Sequence, residues 1–224
     1  MATVHMMNTE NNLTMIKKIA ISFLILTFYL GVQAQTDKKA TAILDEVSVK
    51  TKSYKTIKID FTYAMDNAKE KIHDKFKGTL LSKGDKYKLT AAGQDVICDG
   101  KTVWTYLKDA NEVQINNAGE DEDSFTPTKL LSGYSKDFKS KFIEEKGNEQ
   151  VIELYPVKKG KSFTKVRLTI DKTKKQIIKF VIHDRNGSTF SYIVDKFITD
   201  QAIADTTFTF NKASYPGVEV NDMR

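Results

Sequence analysis

The sequence predicts a mainly β fold in which one amphipathic helix precedes a strongly curved antiparallel sheet. Between Thr36 and about Ser53, apolar residues recur at helical spacing, and Asp37 is placed to cap the first turn. Beyond the helix, apolar and polar residues alternate with the period of a half-buried strand, first from Ile57 to Tyr63 and then repeatedly along the chain. We expect about ten or eleven strands, and a sheet of that size must curl or close because long flat antiparallel sheets are unstable at their edges.

Turn residues separate the predicted strands and favour an up-and-down order. Asp99-Gly100 and Asn186-Gly187 are dipeptides that tolerate positive φ and therefore mark tight hairpins. Strands joined by such turns usually pair with their neighbours in the chain.

One stretch interrupts the alternation and predicts a short helical lid. An acidic loop at residues 120–123 precedes Phe125 to Leu131, with Pro127 early in this segment and Gly133 after it. An early proline and a trailing glycine suit a short helix. A helix inserted here is well placed to cover an open end of the curved sheet.

The N-terminus has the pattern of a secretory signal peptide. Lys17 and Lys18 precede an almost wholly apolar run from Ile19 to Val32, and small residues lead to a predicted cleavage after Ala34. This run of about 14 residues is too short to cross a hydrocarbon core of roughly 30 Å comfortably. We therefore predict a leader at residues 1–34, a single domain at residues 35–224, and a periplasmic location.

The charge balance does not indicate a nucleic-acid partner. The formal net charge of +6 becomes +5 after cleavage, because Lys17, Lys18 and Glu10 leave with the leader. A basic protein can bind nucleic acid or an anionic membrane, or simply be soluble. Export, and lysines that are scattered without interleaved stacking aromatics, argue against nucleic acid. We expect a monomer with a solvated basic surface.

The titratable residues offer little for catalysis or metal binding. His73 and His183 lie outside the leader, and neither has metal-ligand spacing to a second histidine or cysteine. The sequence contains no G-x-S-x-G motif, phosphate loop or dinucleotide fingerprint. Cys98 is the only cysteine, so no disulfide can form within the chain, and its apolar strand predicts a buried, inert thiol. We expect neither enzymatic activity nor a cofactor.

The aromatic residues are compatible with either a filled sheet interior or an apolar cavity. The chain contains 13 Phe, 9 Tyr and one Trp. On alternating faces of a curved sheet such residues fill a small barrel, or line the cavity of a larger or incompletely closed one. The residues alone leave both alternatives open.

Three parts of the chain resemble the LolA family of periplasmic lipoprotein carriers. Residues 59–62 (IDFT) and 77–80 (KGTL) resemble the first two strands of the family. Residues 99–106 (DGKTVWTY) are similar to its D-G-K-x-h-W-x-Y hairpin, in which h is apolar. Residues 208–210 (FTF) and 215–224 (YPGVEVNDMR) look like its terminal strand and P-x-G-V-x-V-x-D ending. These parts occur in the family's order and span nearly the whole chain after the leader.

The resemblance implies an incomplete, half-open antiparallel barrel with helical lids, whose apolar concavity holds lipoprotein acyl chains. It implies no cofactor and no covalent chemistry. The implied partners are acylated lipoproteins, an ATP-driven inner-membrane release complex that supplies them, and an outer-membrane acceptor. The residues that we predict to line the concavity and lids are large apolar side chains of these segments: Phe61, Tyr63, Phe76, Leu80, Trp104, Tyr106, Leu130, Leu131, Phe180 and Tyr192.

One segment departs from the family pattern. Related carriers have a basic residue followed by proline after the second strand, and this side chain bonds to the lid in the closed state. Here Lys83 is followed by Gly84 and Asp85. Lys83 is the candidate replacement, although lysine lacks the rigid fork of donors that arginine has.

Two alternative functions use the same fold. Envelope-stress regulators sense a ligand and bind a membrane-bound partner, and they usually carry a further C-terminal domain. This chain ends at the family's terminal strand, which favours the carrier. A carrier of another amphiphile, such as a glycolipid or pigment, is the second alternative.

Overall fold

Twelve β-strands pair into a single sheet in the computed structural model, which describes residues 37–119 and 137–224. The predicted leader and lid helix lie outside these ranges. The described elements are α1 (Lys38–Lys52), β1 (Ile57–Asn67), β2 (Ile72–Lys83), β3 (Lys86–Ala91), β4 (Gln94–Cys98), β5 (Thr102–Leu107), β6 (Glu112–Asn117), β7 (Phe138–Lys146), β8 (Glu149–Pro156), β9 (Phe163–Asp171), β10 (Gln176–Asp184), β11 (Thr189–Thr199), two 3-10 helices (Asp205–Phe208 and Lys212–Ser214) and β12 (Glu219–Asp222).

The sheet consists of two meanders joined side by side. Its strand order is β12-β6-β5-β4-β3-β2-β1-β11-β10-β9-β8-β7. Within the described residues, the first and last strands of this order, β12 and β7, do not pair, so the sheet is open. Neighbouring strands rotate by roughly 20–25° relative to one another, so twelve of them cannot lie flat. The predicted mainly β, curved and unclosed fold is confirmed.

The C-terminal part differs from the prediction in two respects. Residues 208–210 do not form a strand, because the chain turns through the 3-10 helix Asp205–Phe208, which buries Phe208 completely. The last strand is instead β12, which pairs with β6 in parallel, whereas all other described pairs are antiparallel. The described sheet therefore has twelve strands and not ten or eleven.

Helix α1 begins where the sequence predicts. The Asp37 Oδ1 atom accepts hydrogen bonds from the backbone N–H groups of Lys39 and Ala40, at 3.0 and 3.2 Å. Its Oδ2 atom accepts a third from the N–H of Phe142 in β7, at 2.7 Å. One carboxylate thus caps the helix and ties it to the sheet. The buried face of the helix carries the residues Ala40, Ile43, Leu44 and Val47.

Helix α1 defines the two faces of the sheet. Its apolar residues pack in one core cluster with inward residues of β8 and β9, such as Ile152 and Leu168. Directly paired residues of neighbouring strands lie on the same face. The register runs from Leu168 through Phe180 and Tyr192 to Tyr63, so this face continues from β8 to β1. We call it the α1 face, and the opposite one the far face.

The C-terminal segment covers part of the far face. The ring of Tyr215 lies 4.5 Å from that of Tyr106 and 4.6 Å from that of Phe210, measured between centroids. The side chain of Asn111 accepts a hydrogen bond from the Tyr106 hydroxyl at 3.0 Å and donates one to the Pro216 carbonyl at 3.3 Å. These contacts fasten the last residues over β5 and the turn before β6.

Candidate functional site

A row of four aromatic side chains crosses four neighbouring strands on the α1 face. Phe76 in β2 pairs with Tyr63 in β1, which pairs with Tyr192 in β11, which pairs with Phe180 in β10. The successive ring centroids are 6.2, 4.9 and 4.3 Å apart. We call these four residues the aromatic row. Phe76 is 41% exposed, so the row presents apolar surface that the sheet itself does not cover.

Phe61 lies next to the aromatic row, and the position of its ring requires a glycine on the neighbouring strand. Its ring centroid lies 5.8 Å from that of Tyr192, and only 5% of Phe61 is exposed. Phe61 pairs with Gly78 in β2, and a Cβ atom at Gly78 would lie 2.4 Å from the Phe61 Cζ atom. The missing side chain at Gly78 therefore lets the Phe61 ring lie over the backbone of β2.

A second row on the same face is aliphatic. Ile59 pairs with Leu80, Leu80 with Leu89, and Leu89 with Val96. We call Ile59, Leu80, Leu89 and Val96 the aliphatic row. Ile59 and Tyr63 are four residues apart in β1, so the two rows are separated by about 13 Å along the strand. Together they form a continuous apolar surface with one aromatic and one aliphatic end.

The structure brings six of the ten predicted site residues onto this surface. Five of them form one group of contacting rings with Leu80 beside it: Phe61, Tyr63, Phe76, Leu80, Phe180 and Tyr192. Leu130 and Leu131 lie outside the described residues.

Trp104 and Tyr106 lie on the far face instead. Val96 belongs to the α1 face and pairs with Thr105, so the neighbours of Thr105 in β5 point the opposite way. Trp104 accordingly pairs with Ile97 and Ile115, and Tyr106 contacts the C-terminal segment. The sequence shows which side chains of a strand share a face. Whether that face is the α1 face or the far face depends on how the strands pair across the sheet.

Phe190 is an aromatic neighbour that the sequence analysis did not include. Its ring centroid lies 6.5 Å from that of Tyr63, and it pairs with Met65 and Ile182. Phe190 stands two positions before Tyr192 in β11, so the same period of two that selects Tyr192 also selects Phe190.

The environment of Tyr63 and Tyr192 raises the pKa of both phenols. Burial, and to a smaller extent the neighbouring Tyr63, raises the pKa of Tyr192 to about 12. Burial, together with the charge of Asp74, also raises the pKa of Tyr63. Both hydroxyls are therefore protonated at neutral pH and available as hydrogen-bond donors.

Cys98 is buried on the α1 face beyond the aliphatic row, as predicted. Burial raises the pKa of its thiol, and the hydrogen bond from the N–H of Gly100 only partly opposes this. A thiol with a raised pKa is a poor nucleophile at neutral pH because the thiolate is the reactive form.

Lys83 binds an acidic partner at the C-terminal end of β2. Its Nζ atom donates to the Oδ1 atom of Asp205 at 2.7 Å, and the Nζ atom of Lys86 lies 3.4 Å from the other carboxylate oxygen. Asp205 opens the first 3-10 helix. Within the described residues, Lys83 therefore fastens the C-terminal segment to the sheet. The predicted bond to a lid involves residues outside those ranges.

The far face holds a compact ionic group around Glu153 in β8. The side chain of Glu153 is 5% exposed, and its Oε1 atom accepts hydrogen bonds from Lys165 at 2.6 Å and from Arg167 at 2.8 Å. Tyr155 donates to the other oxygen. Burial alone raises the pKa of Glu153, but these donors outweigh it and hold the pKa at about 2. This group ties β8 to β9.

Two further properties concern the whole described part of the chain. Residues 37–119 and 137–224 contain no group of three or more His, Cys, Asp or Glu side chains arranged to hold a metal ion. No helix within those ranges has the length and apolar character needed to cross a bilayer.

Comparisons with known proteins agree with the fold. Residues 52–211 match the family described as outer membrane lipoprotein carrier protein LolA. Outer-membrane lipoprotein carrier proteins from two strains of Histophilus somni are each 27% identical over 207 residues, covering 90% of this chain and 98% of the relative. An uncharacterized conserved protein from Thermus thermophilus shares the fold, with a TM-score of 0.57, 13% identity, and coverage of 83% of this chain and 99% of that one. The family match covers most of the chain, which therefore belongs to the LolA family of outer membrane lipoprotein carrier proteins.

Proposed function

We propose that this protein is a periplasmic carrier that binds the acyl chains of a lipoprotein on its α1 face and ferries them from the inner to the outer membrane. The observation that carries the proposal is the apolar surface formed by the aromatic and aliphatic rows, in a chain that belongs to the LolA family. Binding requires no covalent chemistry and no cofactor.

The energetics explain why such a carrier is needed. Burying a CH₂ group is worth about 0.8 kcal/mol, so an acyl chain of about sixteen carbons gains more than roughly 10 kcal/mol by leaving water. A lipoprotein with several such chains does not cross an aqueous space unaided. The carrier must offset most of this free energy and still release the cargo, which favours a half-exposed surface over a closed core.

In this proposal, residues 1–34 are a leader that directs export, and residues 35–224 form one carrier domain. An ATP-driven inner-membrane complex supplies the lipoprotein, and an outer-membrane acceptor receives it. Leu130 and Leu131, which lie outside the described residues, stay the predicted lid residues of this proposal. Trp104 and Tyr106 are left out of the proposed surface because β5 turns them to the far face.

A pair of matched aspartate variants tests the proposal. Phe76 lies on the α1 face and is 41% exposed, and Ile193 lies on the far face and is 38% exposed. Both replacements put a charge on a partly exposed apolar position of a strand, so their effects on folding should be similar. We expect Phe76→Asp to reduce bound lipoprotein at least tenfold, because the new carboxylate faces the acyl chains, and Ile193→Asp to leave it unchanged.

The measurement is native mass spectrometry with lipid extraction on protein purified from the envelope of the cells that produce it. Triacylated lipoprotein on the wild-type protein and on Ile193→Asp, but not on Phe76→Asp, supports the proposal. A bound glycolipid or pigment redirects it to another amphiphile. Protein that carries no lipid in any variant contradicts it and favours a regulator of the same fold.

A further inference from the structure

We propose that the hydroxyl groups of Tyr63 and Tyr192 form a polar anchor, which hydrogen-bonds the ester carbonyls of the cargo lipid while the aliphatic row holds its tails. This inference rests on the proposed function and adds an orientation and a chemical preference to it. The ligand class is an ester-linked glyceride.

The first observation concerns the hydrogen bonding of the two hydroxyls. Among residues 37–119 and 137–224, neither the Tyr63 nor the Tyr192 hydroxyl makes a hydrogen bond, although both rings pack within an apolar cluster. Both residues are half-buried, and a tyrosine with an apolar ring and a polar tip places its O–H group where an acceptor can reach it. Two accessible donors on one apolar surface, with no protein acceptor in the described ranges, are available to an acceptor that a ligand supplies.

The second observation is that these donors stand together at one place. Tyr63 and Tyr192 are the central pair of the aromatic row, with ring centroids 4.9 Å apart, and they are flanked by the purely apolar rings of Phe76 and Phe180. Both phenols are neutral at pH 7, since their ordinary pKa is 10.0 and burial raises it further, so they offer donors without a charge. Ester carbonyls are neutral acceptors, and this pairing avoids the large cost of burying an ion.

The third observation is a gradient of polarity along β1 on the α1 face. The strand presents Ile57, Ile59 and Phe61 first and Tyr63 next. Met65 follows, and the strand ends at Asn67, which is buried and donates to the Ser188 hydroxyl at 2.8 Å. Asp74, an exposed residue of β2, pairs with Met65 and adds a carboxylate next to this polar end. An amphiphile lying along the strand therefore finds only aliphatic side chains at one end, and the two phenols and the Asp74 carboxylate towards the other.

The chain offers a matched control for the phenols. Tyr87 lies on the same face, pairs with Ser82 and Cys98, and has a pKa that burial raises to about 12. Its hydroxyl likewise makes no hydrogen bond within the described ranges. Tyr87 stands beyond the aliphatic row, at the end that we assign to the tails, so its hydroxyl should not meet an ester.

The test compares two lipids that differ only in the linkage. Dipalmitoylglycerol has ester carbonyls, and its diether analogue of equal chain length has none. Both are presented from the same neutral detergent micelle to the full protein, and bound lipid is measured by native mass spectrometry for the wild type, Tyr63→Phe, Tyr192→Phe, the double variant and Tyr87→Phe. All four variants keep their rings and should fold.

We expect the wild type to prefer the ester lipid. One hydrogen bond contributes about 1 kcal/mol, so each anchor variant should bind the ester lipid about fivefold more weakly and the ether lipid unchanged. The double variant should have no preference, and Tyr87→Phe should behave as the wild type does.

The outcomes separate this inference from the proposed function. Equal binding of the two lipids by the wild type overturns the anchor and leaves the carrier function intact. Loss of the ester preference in Tyr87→Phe instead of the anchor variants overturns the orientation. If the wild type binds neither lipid, the apolar site itself is wrong and both proposals fail.

Discussion

Replacing Gly78 by alanine should destabilise the protein, although alanine usually stabilises a strand relative to glycine. In the structure, the new Cβ atom would lie 2.4 Å from the Phe61 Cζ atom and 2.9 Å from the backbone oxygen of Thr90. Non-bonded carbon atoms prefer a separation of about 3.5 to 4.0 Å. The Phe61 ring must therefore move by about 1 Å or more, and the contact with the backbone of β3 leaves Gly78 little room to retreat.

The net cost follows from two opposing contributions. Overpacking a well-packed core typically costs about 1 to 3 kcal/mol. Replacing glycine by alanine in a strand returns about 0.5 to 1 kcal/mol, because the unfolded chain loses less freedom on folding. We expect Gly78→Ala to lower the free energy of unfolding by about 1 to 2 kcal/mol, measured by urea denaturation with circular dichroism.

A double-mutant cycle identifies the cause. In a Phe61→Leu background the ring that blocks Gly78 is absent, so Gly78→Ala should become neutral or slightly stabilising. The coupling between the two substitutions should be about 1 kcal/mol or more, which exceeds the usual error of additivity. Strict additivity, or stabilisation by Gly78→Ala in the wild-type background, would refute the steric explanation.

Three further predictions concern the helix cap and two buried ionisable groups. Asp37→Ala should lower the free energy of unfolding by about 2 to 3 kcal/mol, because a helix cap and an acceptor for the N–H of Phe142 are both lost. Asp37→Asn should keep most of the wild-type stability, measured by the same urea titration. The folded pKa of Tyr87 is about 12 and its unfolded value is 10.0, so the stability from its neutral phenol is present below pH 10 and lost as the pH rises towards 12. Between pH 9 and 11, the free energy of unfolding of Tyr87→Phe should therefore fall by about 1 kcal/mol less than that of the wild type. Equal decreases in the two proteins would contradict the raised pKa of Tyr87. The folded pKa of Glu153 is about 2 against an ordinary value of 4.5, so its stability is present above pH 4.5 and lost as the pH falls towards 2. Glu153→Gln should lower the free energy of unfolding by about 2 to 4 kcal/mol at pH 7, because Arg167 loses the buried carboxylate that it binds. The difference in stability between this variant and the wild type should shrink as the pH falls.

The local elements could be predicted because their causes lie within a few residues. The helix prediction over residues 36–53 is confirmed at Lys38–Lys52, and the Asp37 cap is present, since both depend on spacing within one or two turns. The alternation in β1 and the burial of Cys98 are confirmed for the same reason.

The site was only partly predictable from the sequence. Period-two alternation shows that Phe61 and Tyr63 share one face of β1, and that Trp104 and Tyr106 share one face of β5. It cannot show whether these two faces are the same, because a shift of one residue in the pairing of any intervening strand exchanges them.

The strand-rich class, the helix and its cap, and the resemblance to the LolA family could all be predicted from the residues alone, because each depends on short-range patterns. The folded sheet was needed to show that β1 pairs with β11, so that Tyr63 contacts Tyr192, and that Gly78 leaves room for the Phe61 ring. The parallel pairing of residues Glu219–Asp222 with β6 likewise became visible only in the fold. These features join residues that are far apart in the chain, and they are selected by the packing and hydrogen bonding of the whole sheet.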